Sequence, residues 1–191
     1  MPNDSDSFEP SFPTGTPSFD RPEYVKVEPG DPLPEGFLAG LSDIEVLELS
    51  RYFEPEADLT QSQWQIDPYT EINQKEQKFH MILRVGLHVL EEVSGEEAEI
   101  LELATMTIQF TFHVPKIQNH IVNEGDETQI RLRLSGPALA EMLRTAYDGA
   151  RGAWCTEMGS SRYGNVLLPH ANIEKLMQDF FGASMPSSSG S

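Results

Sequence analysis

Hydrophobic and polar residues alternate one for one along two stretches in the middle of the chain. In the first, Phe79, Met81, Leu83, Val85, Leu87 and Val89 fall on one side, and His80, Ile82, Arg84, Gly86 and His88 on the other. In the second, Met106, Ile108, Phe110, Phe112 and Val114 oppose Thr105, Thr107, Gln109, Thr111 and His113. A period of two is that of a strand with one buried face, so both stretches predict long strands. The acidic turn around Ser94-Gly95-Glu96-Glu97 predicts that they pair antiparallel. Pro115 ends the second run. A short third strand is expected at residues 120–123, then a turn at Gly125-Asp126 and a fourth strand at 129–134, where Ile130, Leu132 and Leu134 alternate with Arg131 and Arg133.

After Gly136-Pro137 the period changes. Proline donates no backbone hydrogen bond but fits the first turn of a helix. Leu139, Met142, Leu143, Ala146, Ala150, Ala153 and Trp154 then recur at helical spacing, which predicts an amphipathic helix with one apolar face. Ala146, Gly149, Ala150, Gly152 and Ala153 read as a small-residue stripe that lets a sheet or a partner helix approach closely. A polar turn, Leu168-Pro169 and a short terminal helix complete the pattern. The fold expected is α+β: a four-stranded antiparallel sheet with a long helix and a short C-terminal helix packed on one face.

Upstream the signals differ. Ser42 and Glu45 stand at capping-box spacing, with Leu41 and Val46 as a hydrophobic staple around them, and this predicts a helix from about Asp43 to Tyr52 or Phe53. Residues 54–78 read as a connector with a short extended segment at Trp64 and Ile66 and a turn at Asp67-Pro68, and Trp64 is expected to tether it to the main domain because of the apolar area it has to bury. Eight of the fourteen prolines fall within residues 1–36, where no period is visible. The domain reading is therefore an extended or disordered acidic arm over 1–40, a short helix and connector over 41–78, the α+β domain over 79–181, and a disordered low-complexity tail over 182–191. In the arm, Ser7-Phe8, Ser11-Phe12 and Ser18-Phe19 repeat an aromatic on an acidic background, a spacing that could serve docking.

A strand, a Pro-initiated helix, Arg151-Gly152 late in that helix, Leu168-Pro169 and a short final helix resemble the C-terminal half of the SecB family of bacterial chaperones, and its divergent SecB-like branch above all. The resemblance spans roughly residues 79–181. Where the typical export chaperone has an aromatic-proline pair and a doubled proline, this chain has Ala138-Leu139-Ala140 and Tyr163-Gly164-Asn165. The resemblance implies a homodimer or homotetramer that holds unfolded or pre-export polypeptides in apolar grooves between helices and sheet, without nucleotide or other cofactor. Phe110, Phe112, Met142, Tyr147, Trp154 and Leu167 are the expected client-binding residues. Acidic side chains such as Glu99 and Glu102 would meet a translocase motor such as SecA. Some members of the SecB-like branch serve one partner, such as an antitoxin, and the acidic arm points to a dedicated adaptor as the alternative.

Composition narrows the partners. The 191 residues carry 31 acidic and 13 basic side chains, a formal net charge of -18. Counterion release rewards Lys and Arg, so nucleic acid and anionic membrane surfaces are poor partners for such a chain. Seventeen of the acidic and five of the basic side chains lie in residues 1–78, so the N-terminal part is the more acidic. A single cysteine, Cys155, excludes an intrachain disulfide and suits a reducing compartment. With no charged leader and apolar run at the start, the expectation is a soluble cytoplasmic protein.

Catalytic patterns are missing: no glycine-rich phosphate loop, no paired cysteines, no His-Glu-x-x-His and no Gly-x-Ser-x-Gly. His80 and His88 could sit by a metal only with a third ligand such as His113, and otherwise read as polar residues on a wet sheet face. Cys155, beside Trp154 on an apolar helix, reads as a small buried hydrophobe. The chain is expected to bind, not to catalyse.

Overall fold

The computed structural model describes residues 23–30, 40–52, 59, 62–91, 99–122 and 130–182. The phenylalanines at 8, 12 and 19, the turns expected at 94–97 and 125–126, and the tail beyond Gly182 lie outside the described residues. Seven strands precede two helices: β1 (Glu23–Gly30), β2 (Gly40–Arg51), β3 (Ser62–Asn73), β4 (Lys78–Glu91), β5 (Glu99–His113), β6 (Ile121–Val122) and β7 (Ile130–Ser135), then α1 (Gly136–Met158) and α2 (Ile173–Phe181). Their order across the sheet is β2-β5-β4-β3-β1-β7-β6.

The expected architecture is present: β2, β5, β4 and β3 form a four-stranded antiparallel sheet, accompanied by one long and one short helix. β4 and β5 are the two alternating stretches, and their apolar rows are buried from Phe79 to Val89 and from Met106 to Val114. The short strands β6 and β7 make a separate antiparallel ribbon, and β1 joins it to the main sheet.

Two strands of that sheet lie where other structure was expected. The helix expected from about Asp43 to Tyr52 or Phe53 is not formed: residues 43–51 make most of β2, and the connector contributes β3. The reason lies in two register shifts, between Leu41 and Asp43 and between Val46 and Glu48, each of which leaves one β2 residue without a partner on β5. Bulges add a residue without turning the strand over. The apolar positions that face the core therefore read Leu41, Ile44, Val46 and Leu49, spaced three, two and three, which imitates a helix. Ser42 caps nothing; it sits at the first shift and donates its hydroxyl to the Thr111 carbonyl at 3.0 Å.

α1 begins as its sequence suggests. The Ser135 hydroxyl accepts from the Ala138 amide at 3.3 Å, and Pro137 stands in the first turn. Leu139, Met142, Leu143, Ala146, Ala150 and Trp154 are buried beneath it. Trp64 of β3 meets Trp154 edge to face, with ring centroids 4.8 Å apart, which fastens the former connector to the core.

Of the small-residue stripe, Ala146 and Ala150 are fully buried, Gly149 lies on the sheet and Gly152 faces open space. A Cβ on Gly149 would come within 2.5 Å of Phe110 Cε1. Alanine there gains about 1 kcal/mol in helix propensity, whereas overpacking a core ring costs about 1–3 kcal/mol. Gly149→Ala is thus expected to lower the urea midpoint even though it replaces glycine inside a helix.

Candidate functional site

Among the described residues β2 ends the strand order and has a neighbour, β5, on one side only. No described strand lies along its outer edge, the kind of surface to which another extended chain can add. Edge strands in soluble proteins are usually short, charged or interrupted. This one carries charge and two bulges, yet it is twelve residues long and apolar on one side.

Register with β5 decides which side. Leu41 stands opposite Phe112, Ile44 opposite Phe110, Val46 opposite Ile108 and Leu49 opposite Met106, so this row continues the core face of the sheet. α1 crosses at Phe110, where Gly149 rests on the ring, and β2 lies beyond. The continuation is left open: Leu41, Ile44 and Val46 are 40%, 46% and 38% exposed, and Leu47, the unpaired residue of the second bulge, is 49% exposed.

Opposite Thr111, Gln109 and Thr107 stand Asp43, Glu45 and Glu48, an acidic row on the other side of the same strand, with Arg51 the one base in β2. The far end is fastened: the Tyr52 amide donates to the Leu103 carbonyl at 2.9 Å, and the Tyr163 hydroxyl donates to the Tyr52 carbonyl.

The sequence-derived client residues fall elsewhere. Phe110, Phe112, Met142, Tyr147 and Trp154 are all buried, at 3% exposure or less, and build the core that backs the ledge. Their aromatic and thioether side chains fill the space between α1 and the sheet and offer no surface for a client. Tyr147 reaches out only through its hydroxyl, which donates to the Pro169 carbonyl at 2.9 Å; burial raises its pKa.

Leu167 alone is exposed, at 59%. It lines a cavity of about 560 Å³ on the outer side of α1, together with Asp148, Arg151, Gly152, Cys155 and His170. Arg151 Nε donates to the Leu168 carbonyl at 3.0 Å, and its guanidinium lies 3.2 and 3.4 Å from the two ring nitrogens of His170. Cys155 is exposed here, not buried as its apolar neighbours suggested, because it follows Trp154 by one residue and so points about 100° away around the helix.

The polar sheet face holds Glu102, whose carboxylate pairs with Arg84 at 3.2 Å and accepts from the Thr105 hydroxyl at 3.4 Å. Glu99 opens β5 opposite Glu91. On the same face the His88 ring lies over Gly86, in space that a side chain there would fill. The His80 ring shares a hydrogen bond with Thr111 Oγ1 at 3.0 Å. Among the described residues no three metal-ligating side chains converge, and no helix is long and apolar enough to cross a membrane.

Burial holds His80 below its ordinary value of 6.5, with Lys78 adding to the effect and Glu76 opposing it. The folded state thus favours the neutral ring. Its contribution to stability is complete above the unfolded value and is lost as pH falls through the lower folded one. Urea unfolding between about pH 7 and about pH 5 should show the stability of the natural chain falling toward that of His80→Gln, since glutamine cannot take up the proton.

The ledge on β2 was missed because its residues were read as a helix face. The available signal was the paired strand itself: Leu41, Ile44, Val46 and Leu49 fall on one side once two bulges are allowed.

No protein-family model and no curated protein matches the chain. Five chains of solved structures match. Among them is a SecB-like chaperone of Mycobacterium tuberculosis in complex with a ChAD peptide from the HigA1 antitoxin. It is 15% identical, with 70% of this chain and 90% of that chain covered and a TM-score of 0.38.

Proposed function

We propose that the chain is a polypeptide-binding protein of the chaperone or adaptor kind, and that the β2 edge takes the polypeptide. The observation that carries this is a twelve-residue edge strand whose apolar row, Leu41, Ile44 and Val46, stays open beside α1. Strand addition supplies affinity through the main chain, so it tolerates many sequences, as a holdase requires. The resemblance of residues 79–181 to the SecB family agrees with this reading.

The acidic row narrows the client. A segment added to β2 places alternate side chains on the two sheet faces. Apolar residues would meet Ile44 and Val46, and the residues between them would meet Asp43, Glu45 and Glu48. Opposite charges across a strand pair stabilise it, and like charges weaken it. Extended segments that alternate apolar and basic residues therefore fit best. Two copies paired through β2 would set two acidic rows side by side, so a basic client suits this edge better than a second copy.

The test is suppression of aggregation of a chemically unfolded client. At equimolar protein, light scattering by a basic, apolar-rich client should fall by more than half, and an acidic client should be protected less. Undiminished scattering at several-fold excess would remove the proposal.

A further inference from the structure

The cavity on the outer side of α1 plays no part in strand addition, and no residue of β2 lines it. At about 560 Å³ it falls within the range of about 300–1,000 Å³ typical of small-molecule sites. One wall is the exposed face of α1, where Asp148, Gly152 and Cys155 follow one another at helical spacing. The other is the segment ahead of α2, which brings Leu167, Leu168 and His170. A Cβ on Gly152 would meet nothing within 4 Å, so the helix wall is bare at its middle.

Arg151 joins the two walls. Its Nε donates to the Leu168 carbonyl, and its guanidinium lies against the His170 ring. A neutral imidazole accepts through one nitrogen only and an imidazolium through none, so at most one of the two contacts with His170 is a hydrogen bond. Asp148 Oδ1 is 3.8 Å from Nη1, an ion pair beyond hydrogen-bond length. Of the five N–H donors of a guanidinium, those not given to Leu168 and His170 therefore have no hydrogen-bond acceptor among the described residues. The group is held in place and short of acceptors. A planar fork of donors in that state matches a carboxylate, which it takes through two parallel hydrogen bonds.

Two further features choose among anions. Asp148 stands on the cavity wall beside Arg151, and its charge disfavours a second negative charge in the ligand. A carboxylate brings one charge and a phosphate close to two. Leu167, more than half exposed, and the bare stretch at Gly152 offer apolar surface in the same cavity, which favours a hydrocarbon body over a sugar. The net charge of -18 also works against polyanions.

We propose that this cavity binds an organic monocarboxylate with an apolar body, its carboxylate on the Arg151 guanidinium and its hydrocarbon part between Leu167 and Gly152. Arg151 selects the charge, Asp148 limits it to one, and the apolar wall selects the body. Two sources carry this group: a free carboxylic acid, and the C-terminus of a polypeptide that ends in apolar residues. Cys155, the single cysteine, is exposed in the cavity and reports on its occupancy.

Isothermal titration calorimetry of the full chain tests this with octanoate, octanamide and octyl phosphate, and with a short acetylated peptide ending in two leucines, as free acid and as amide. Octanoate or the peptide acid should bind at least about tenfold more tightly than its own amide, the effect of losing a charge-assisted pair. The tighter of the two acids identifies the source. Octyl phosphate should bind more weakly than octanoate, and the bound acid should slow alkylation of Cys155 by N-ethylmaleimide. Gly152→Leu puts a side chain into the open space, keeps a good helix former in α1, and should abolish binding. Arg151→Lys should weaken binding at least about tenfold, because a point charge replaces the fork. Asp148→Asn should tighten binding of octanoate, and of octyl phosphate by more.

Binding of neither acid, or equal binding of acid and amide, would overturn the proposal. So would a preference of the natural chain for octyl phosphate, or binding that Gly152→Leu leaves unchanged. Arg151 also props the segment at Leu168, so circular dichroism accompanies the lysine variant. If that variant unfolds, Gly152→Leu and Asp148→Asn decide the matter. Client aggregation is measured separately and bears on β2 alone, so failure here leaves that reading standing.

Discussion

Trp154→Ala is expected to lower stability by about 3–5 kcal/mol, the range for removing a large buried aromatic side chain. Trp154 is fully buried, its ring meets Trp64 of β3 edge to face, and its indole Nε1 donates to the Val166 carbonyl at 3.1 Å. Three parts of the chain depend on it: α1, the strand that grew from the connector, and the segment leading to α2. Small domains are stable by only about 5–15 kcal/mol in total, so the variant should begin to unfold at temperatures where the natural chain is folded. Urea unfolding followed by circular dichroism measures this. Trp154→Phe should recover part of the loss by refilling most of the volume, but not the hydrogen bond to Val166. A change below about 1 kcal/mol for Trp154→Ala would contradict the packing described, since that is the scale of a surface substitution.

The second large effect concerns binding. Replacing Ile44 and Val46 with threonine and Leu47 with serine should weaken client binding at least about tenfold, because each change removes exposed apolar area from β2 at about 25 cal/mol per Å². The fold should persist. All three residues are between 38% and 49% exposed, and threonine retains the preference of a β-branched residue for strands. The comparison with Phe110 and Trp154 variants is informative: those should lose binding only in proportion to unfolding, whereas the β2 variant should lose binding while remaining folded. Fluorescence anisotropy with a labelled, permanently unfolded client, alongside thermal denaturation of the same samples, separates the two.

Much of the fold was legible in the sequence. Alternation from Phe79 to Val89 and from Met106 to Val114 identified β4, β5 and their buried faces, and Ser135, Pro137 and the helical period beyond them marked α1. These signals are local and unbroken. β2 was illegible for a specific reason: its two bulges turn a period of two into a spacing of three, two and three, and Ser42 with Glu45 happens to match a capping box. β3 was obscured by Pro68, which breaks the reading of a strand although it stands in one, opposite Leu83. β1 could not be placed from pattern at all, since its main partner, β7, is roughly a hundred residues away in sequence and only tertiary structure brings them together.

The site followed the same division. Phe110, Phe112, Met142, Tyr147 and Trp154 have the chemistry of promiscuous binding, but the same apolar area that suits a client also suits a core, and burial assigns them to the core. Composition cannot distinguish these two uses. Position on an edge can, and β2 became an edge only once it was seen as a strand. Its open row and its acidic row are consequences of one backbone, with side chains sent alternately to the two faces of the sheet.

Amide hydrogen exchange over residues 40–52, with and without a permanently unfolded basic client, tests the central claim most directly. A client added to the edge would pair with the outward amides of β2, so exchange there should slow by about tenfold or more at saturating client, as expected when free amides become hydrogen-bonded. Exchange in α1 and in β4 should stay the same. Unchanged exchange across 40–52 in the presence of bound client, or protection confined to another part of the chain, would contradict it.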